Sequence, residues 1–122
     1  MTPSEPAGSA ELVASVQAEL VAAEQHYDKA IQGLEQIARS DSSALDPQVA
    51  GVLQKNLQVI DQAIAESRTA LQKEPQSQPA RDSLFEALRR KVSLLQDTIA
   101  LMNEMRKGNS AGAAQIIDAN KS

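Results

Sequence analysis

Apolar residues recur at spacings of three and four through three long stretches of this chain, and the pattern is broken at only two proline-marked places, Pro47 and the pair Pro75 and Pro79. That period lines one face of an α-helix. A proline inside a helix removes a backbone hydrogen bond and costs about 3 kcal/mol or more. The chain is therefore expected to fold as long amphipathic helices that reverse at the prolines.

In the first stretch the seam reads Val16, Leu20, Ala23, Tyr27, Ala30, Leu34 and Ile37, widened by Leu12, Val13, Ile31 and Ala38. The segment SDSSALDPQV then ends the pattern and supplies Asp46 as an N-cap with Pro47 at the first helical position, where its missing N–H has no partner to lose. The second seam follows Val49, Leu53, Leu57, Ile60, Ile64, Ser67 and Leu71, with Val52 and Ala63 beside it. Ser67, its only polar member, reads as a close-packing residue able to bond back to a carbonyl one turn earlier.

Pro75 and Pro79 bracket the tripeptide QSQ, with Ser77 as a cap, and the third seam is Phe85, Leu88, Val92, Leu95, Ile99 and Met102, flanked by Leu84, Leu101 and Met105. Gly108, following Arg106 and Lys107, suits a left-handed helix stop with cations at the negative end of the dipole. The expected fold is all-α, an antiparallel up-down-up three-helix bundle with helices at about 10–40, 46–74 and 78–107. Residues 1–9, rich in Pro, Gly and small polar residues, read as a disordered leader, and residues 109–122 as a flexible tail.

Composition agrees with helix packing. Hydrophobic residues make up 42% of the 122, but aromatics only 2%, so Leu, Ile, Val, Ala and Met must fill one core. A net charge of −4 gives no basic face for nucleic acid. No cysteine is present, which removes disulfides, thiolate chemistry and cysteine-held zinc. No apolar run reaches the roughly 18 residues of a spanning helix. The chain reads as a soluble piece whose link to a membrane would be an anchor lying elsewhere in a longer protein.

Catalytic constellations are not apparent. The single histidine, His26, sits at the edge of the first seam with Ala23 three residues before it, which does not fit the Glu-x-x-His pattern of di-metal bundles. No Gly-x-Ser-x-Gly elbow, phosphate loop or dinucleotide fingerprint occurs. Glu24 and Asp28 stand one turn apart, but no other group is seen to converge on them, and they read as surface solubility residues. The expectation is a non-enzyme with no cofactor and no metal. Complementary charges, acidic on the first helix and basic on the third, favour those two as neighbours. Within the third helix, Arg89, Arg90 and Lys91 form a possible partner-facing basic patch, the alternative being a helix face that balances its neighbour.

The segment HYDKAIQGLEQIA together with VLQKNLQVIDQAIAESRTALQKEPQSQPARDSLFEALRRKVSLLQ resembles the C-terminal extracytoplasmic portion of bacterial zinc-finger anti-sigma-factor-like membrane proteins, over about residues 24 to 107. NLQVIDQAIAES, the proline-containing turn and RRKVSLL carry the likeness. It implies a helical sensing or protein-interaction domain on the periplasmic or extracytoplasmic side of the inner membrane. The sigma factor would be held by a cytoplasmic zinc-finger domain that is not part of this sequence, and no metal ligand or sigma-binding residue carries over. AIAESRTALQKEPQSQPA is similar to one tetratricopeptide unit, but the flanking helices are about twice the length of a repeat helix. The alternative role is a free-standing helical scaffold that self-associates through its seams.

Overall fold

A computed structural model describes residues 4–40, 44–108 and 116–118. Three helices account for nearly all of them: α1 (Ser4–Ser40), α2 (Pro47–Lys73) and α3 (Gln78–Arg106). At 1.5 Å per residue, their 37, 27 and 29 residues span about 55, 40 and 44 Å.

Local chemistry sets the ends as expected. The Asp46 carboxylate accepts from the Gln48 amide at 2.8 Å, and Pro47 opens α2. The Glu74 amide donates to the Ala70 carbonyl to close the helix, and the Ser77 amide donates to the Glu74 carbonyl to close the turn. Ser77 caps α3 through the Ala80 amide at 3.3 Å, and the Arg81 guanidinium donates to the Pro75 carbonyl at 2.8 Å, tying the turn to the helix it starts. Gly108 takes φ +76°, the left-handed conformation required of the helix stop.

Helix α1 begins at Ser4 and runs through Pro6 and Gly8, within the stretch read from the sequence as a leader. Proline is accommodated there because first-turn amides have no carbonyl to reach. Residues 116–118 form a helical turn whose Ile116 and Ile117 pack half-buried against the core, while the rest of the expected tail, like residues 1–3 of the leader, lies outside the described residues.

The three helices form the up-down-up bundle. Contacts climb together along α1 and α3, from Tyr27 with Phe85 to Glu35 with Lys91, so these helices are parallel. Along α2 the order reverses, Arg68 meeting Glu24 and Asp61 joining Glu35 at Lys91. The core is centred on α3, which buries Leu84, Ala87, Leu88, Leu94, Leu95, Thr98, Leu101 and Met102. That set is wider than a single stripe because α3 packs against both other helices, whereas α1 and α2 approach each other far less. The α2 seam buries Leu53, Ile60, Ile64 and Ser67 as expected. A hydroxyl back-bond of the kind expected at Ser67 is made instead on α3 by Thr98, outside the expected seams, to the Leu94 carbonyl at 2.8 Å.

The first seam is rotated from its expected phase. Ile31 is buried and Tyr27 and Leu34 pack half-buried on the core, while Val16 and Ile37 remain 51% and 49% exposed. One residue of helix is a turn of about 100°, so burial of Ile31 in place of Ala30 changes which face of α1 meets the core. In this orientation Glu24, Asp28 and Glu35 lie within reach of cations on the other two helices.

Candidate functional site

Two lysine- and arginine-centred clusters link the helices. Arg68 extends from α2 beside the buried Ser67 and reaches across to α1. Its Nε donates to Glu24 Oε2 at 2.9 Å, and its Nη2 lies 2.8 Å from the same oxygen and 3.1 Å from Asp28 Oδ1. On α3, Lys91 places Nζ 2.6 Å from Asp61 Oδ1 of α2 and 3.3 Å from Glu35 Oε2 of α1, joining all three helices at one ammonium. Its side chain is only 12% exposed, against 31% for Glu35 and 51% for Asp61.

Burial alone would lower the Lys91 pKa, but the hydrogen bond and charge of Asp61, joined by those of Glu35, outweigh it and raise the pKa above its ordinary value. The lysine is held charged by its partners. Between the two cations lies a shallow depression of about 260 Å³ whose floor includes Ile31, Ile64 and Leu88 and whose walls include Asp28 and Asp61.

This geometry revises the reading of Glu24 and Asp28 as an isolated surface pair, because Arg68 converges on both. Arg68 went unrecognised in the sequence. A signal was there: Glu24, Asp28 and Glu35 recur at spacings of four and seven along one edge of α1, an arrangement that a cationic edge on a neighbouring helix complements. Chemically, the two clusters are cross-helix ties, with each cation shared by two carboxylates from other helices.

The structure divides the basic triplet. Arg89 and Arg90 are exposed and make no salt bridge among the described residues, whereas Lys91 turns inward to its two carboxylates. Three consecutive helical residues point about 100° apart, so a sequence cluster is not a surface cluster. His26 is exposed. Among the described residues, no group of three or more His, Cys, Asp or Glu is placed to hold a metal ion, and no helix is long and apolar enough to cross a membrane.

A second feature lies where α1 passes the α2–α3 turn. One depression of about 290 Å³ is lined in part by Leu20, Val21, Leu71 and Phe85. A neighbouring one of about 320 Å³ is lined in part by Leu12, Val13 and Val16 against Gln76 of the turn and Gln78 at the start of α3. Gln17 and Arg81 line both. Phe85 thus sits near Leu71 and the early part of α1, and its ring meets that of Tyr27 at 6.1 Å between centroids, tilted by 57°.

No protein-family model, curated protein or solved structure matches this chain.

Proposed function

We propose that this chain is a non-enzymatic protein-interaction or sensing domain of an anti-sigma-factor-like transmembrane regulator, positioned outside the cytoplasm. The observation that carries the interaction reading is the uneven distribution of exposed apolar side chains. Of the eight large ones among the described residues, five (Leu12, Val13, Val16, Val21 and Ile37) are on α1. Apolar residues gathered on one element, beside a core that is already filled, mark a surface suited to a partner.

The anti-sigma part of the proposal rests on the resemblance carried by NLQVIDQAIAES. In the bundle those residues include the core positions Ile60, Ile64 and Ser67 and the tie residue Asp61. The test is the parent reading frame. It should extend upstream through one spanning helix to a histidine followed by a Cys-x-x-Cys pair, beside a sigma-factor gene. A frame whose product begins at Met1 of this chain would overturn the proposal.

Val52 and Val59, one heptad apart on α2 and 54% and 64% exposed, favour a second reading as a self-associating scaffold. Sedimentation across a wide concentration range tests it, and a strictly monomeric species at high concentration would remove it.

A further inference from the structure

We infer that α1 is a releasable strap: it detaches from the α2–α3 hairpin as a unit and uncovers a groove that takes a partner helix of the same kind, apolar on its seam and acidic along one edge. The inference goes beyond the anti-sigma reading and does not depend on it.

α1 is the longest helix and the least embedded. Among the described residues it buries one apolar side chain, Ile31, with Tyr27 and Leu34 packed half-buried on the core. α2 buries Leu53, Ile60 and Ile64, and α3 buries more than either. Two depressions, of about 290 and 260 Å³, interrupt the seam of α1 with the hairpin, one lined in part by Leu20 and Phe85, the other by Ile31 and Leu88. Dispersion contacts along that seam are therefore incomplete. The remaining attachment is ionic, through Glu24 and Asp28 to Arg68 and Glu35 to Lys91. Partly exposed pairs of this kind contribute little each and are screened by salt.

Release strands no buried charge. Arg68, whose side chain is 42% exposed, returns to water, and the more enclosed Lys91 keeps Asp61 of α2 at 2.6 Å. Removing the sole partner of a buried charge would be the costly event, and it does not occur here. The uncovered groove has Ile64, Leu88 and Phe85 among its apolar residues and Arg68 and Lys91 as its cations. α1 itself shows which occupant fits, with Tyr27, Ile31 and Leu34 at spacings of four and three beside Glu24, Asp28 and Glu35. A partner helix with that pattern meets the same apolar residues and the same two cations, whereas a lysine-edged helix meets like charges.

The chain carries its own reporter of release. Tyr27 is the single tyrosine, no tryptophan is present, and its ring lies 6.1 Å from that of Phe85 on α3. Tyrosine fluorescence thus follows the docking of α1, while far-UV circular dichroism follows all three helices. In a urea titration of the full chain, the tyrosine transition should fall at lower urea than the last helical transition. The double variant Glu24→Lys, Glu35→Lys should lower the first midpoint or remove that transition and leave the last one in place. Coincident transitions in the wild type, or loss of the last helical transition in the variant, would overturn the inference.

The occupant is tested with a labelled peptide of residues 16–38 added to the full-length double variant, whose own α1 is repelled by Arg68 and Lys91. Anisotropy should show binding at least about tenfold tighter than to the wild type, where the attached α1 holds the groove at high effective concentration. A peptide carrying the same two reversals should bind the variant about tenfold more weakly. No binding, equal binding to the two proteins, or equal binding of the two peptides would overturn the assignment. So would a wild-type dimer in sedimentation that the double variant lacks, because the groove would then belong to α1 of a second copy.

Discussion

Arg68 of α2 holds Glu24 of α1 through two nitrogens, Nε at 2.9 Å and Nη2 at 2.8 Å from the same carboxylate oxygen. Because α1 and α2 otherwise approach each other sparsely, this contact and the one to Asp28 account for much of what joins the two helices directly. A fork of fixed geometry orients as well as attracts.

Replacing Arg68 with alanine should destabilise the fold by about 1 kcal/mol, because the pair is partly exposed and solvent screens it. Arg68→Lys should recover only part of that, since an ammonium cannot present two donors at the arginine's angles. Urea unfolding monitored by circular dichroism measures both, and a lysine variant as stable as wild type would show that charge alone matters.

Lys91 gives a pH signature. Its folded-state pKa is raised above 10.5, so its contribution to stability is fully present below that pH and is lost as the pH rises through the folded value. Wild type should therefore lose stability above about pH 10.5 more steeply than Lys91→Met. The difference between the two proteins isolates the lysine from other alkaline titrations, and parallel stability curves for the pair would refute the assignment.

Core position should separate sharply from flank. Leu88 is 1% exposed at the centre of α3, and Leu88→Ala should cost about 2–5 kcal/mol through lost burial and the cavity left behind. Val59, on the outer flank of α2, should tolerate alanine within about 0.5 kcal/mol. Comparable losses at both sites would mean that the α2 flank is buried in an assembly.

Glycine substitutions test the helix geometry in opposite directions. A methyl group added at Gly33 meets nothing within 4 Å, so Gly33→Ala should stabilise α1 by about 0.5–1 kcal/mol. Gly108→Ala should destabilise by about 1 kcal/mol, because its φ of +76° strains any residue with a Cβ. Thermal melts of the two variants should shift in opposite senses.

Much of the architecture was legible before any coordinates. The Asp46, Ser77 and Gly108 ends follow from capping chemistry within a few residues, and the α2 seam was read in its correct phase because its apolar stripe is narrow and nearly uninterrupted. The phase of α1 was not legible. Its apolar residues cover a broad arc, and the sequence offers two overlapping seams, one through Ala30 and Ile37 and one through Ile31 and Ala38. The groove by the α2–α3 turn was equally hidden, since it joins residues from α1 to a turn distant in sequence.

Local periodicity and proline placement thus determined three helices and the ends at Asp46, Ser77 and Gly108, because those properties depend on neighbours within one or two turns, whereas their packing as one up-down-up bundle is set by the tertiary structure. Tertiary structure alone decided that Lys91 leaves its arginine neighbours to face inward, that Arg68 reaches residues 40 and 44 positions away, and that α1 turns Ile31 to the core while Val16 and Ile37 stay outside. The physical reason is that cross-helix ion pairs depend on the rotation and axial register of three helices together, a condition that no helix encodes by itself.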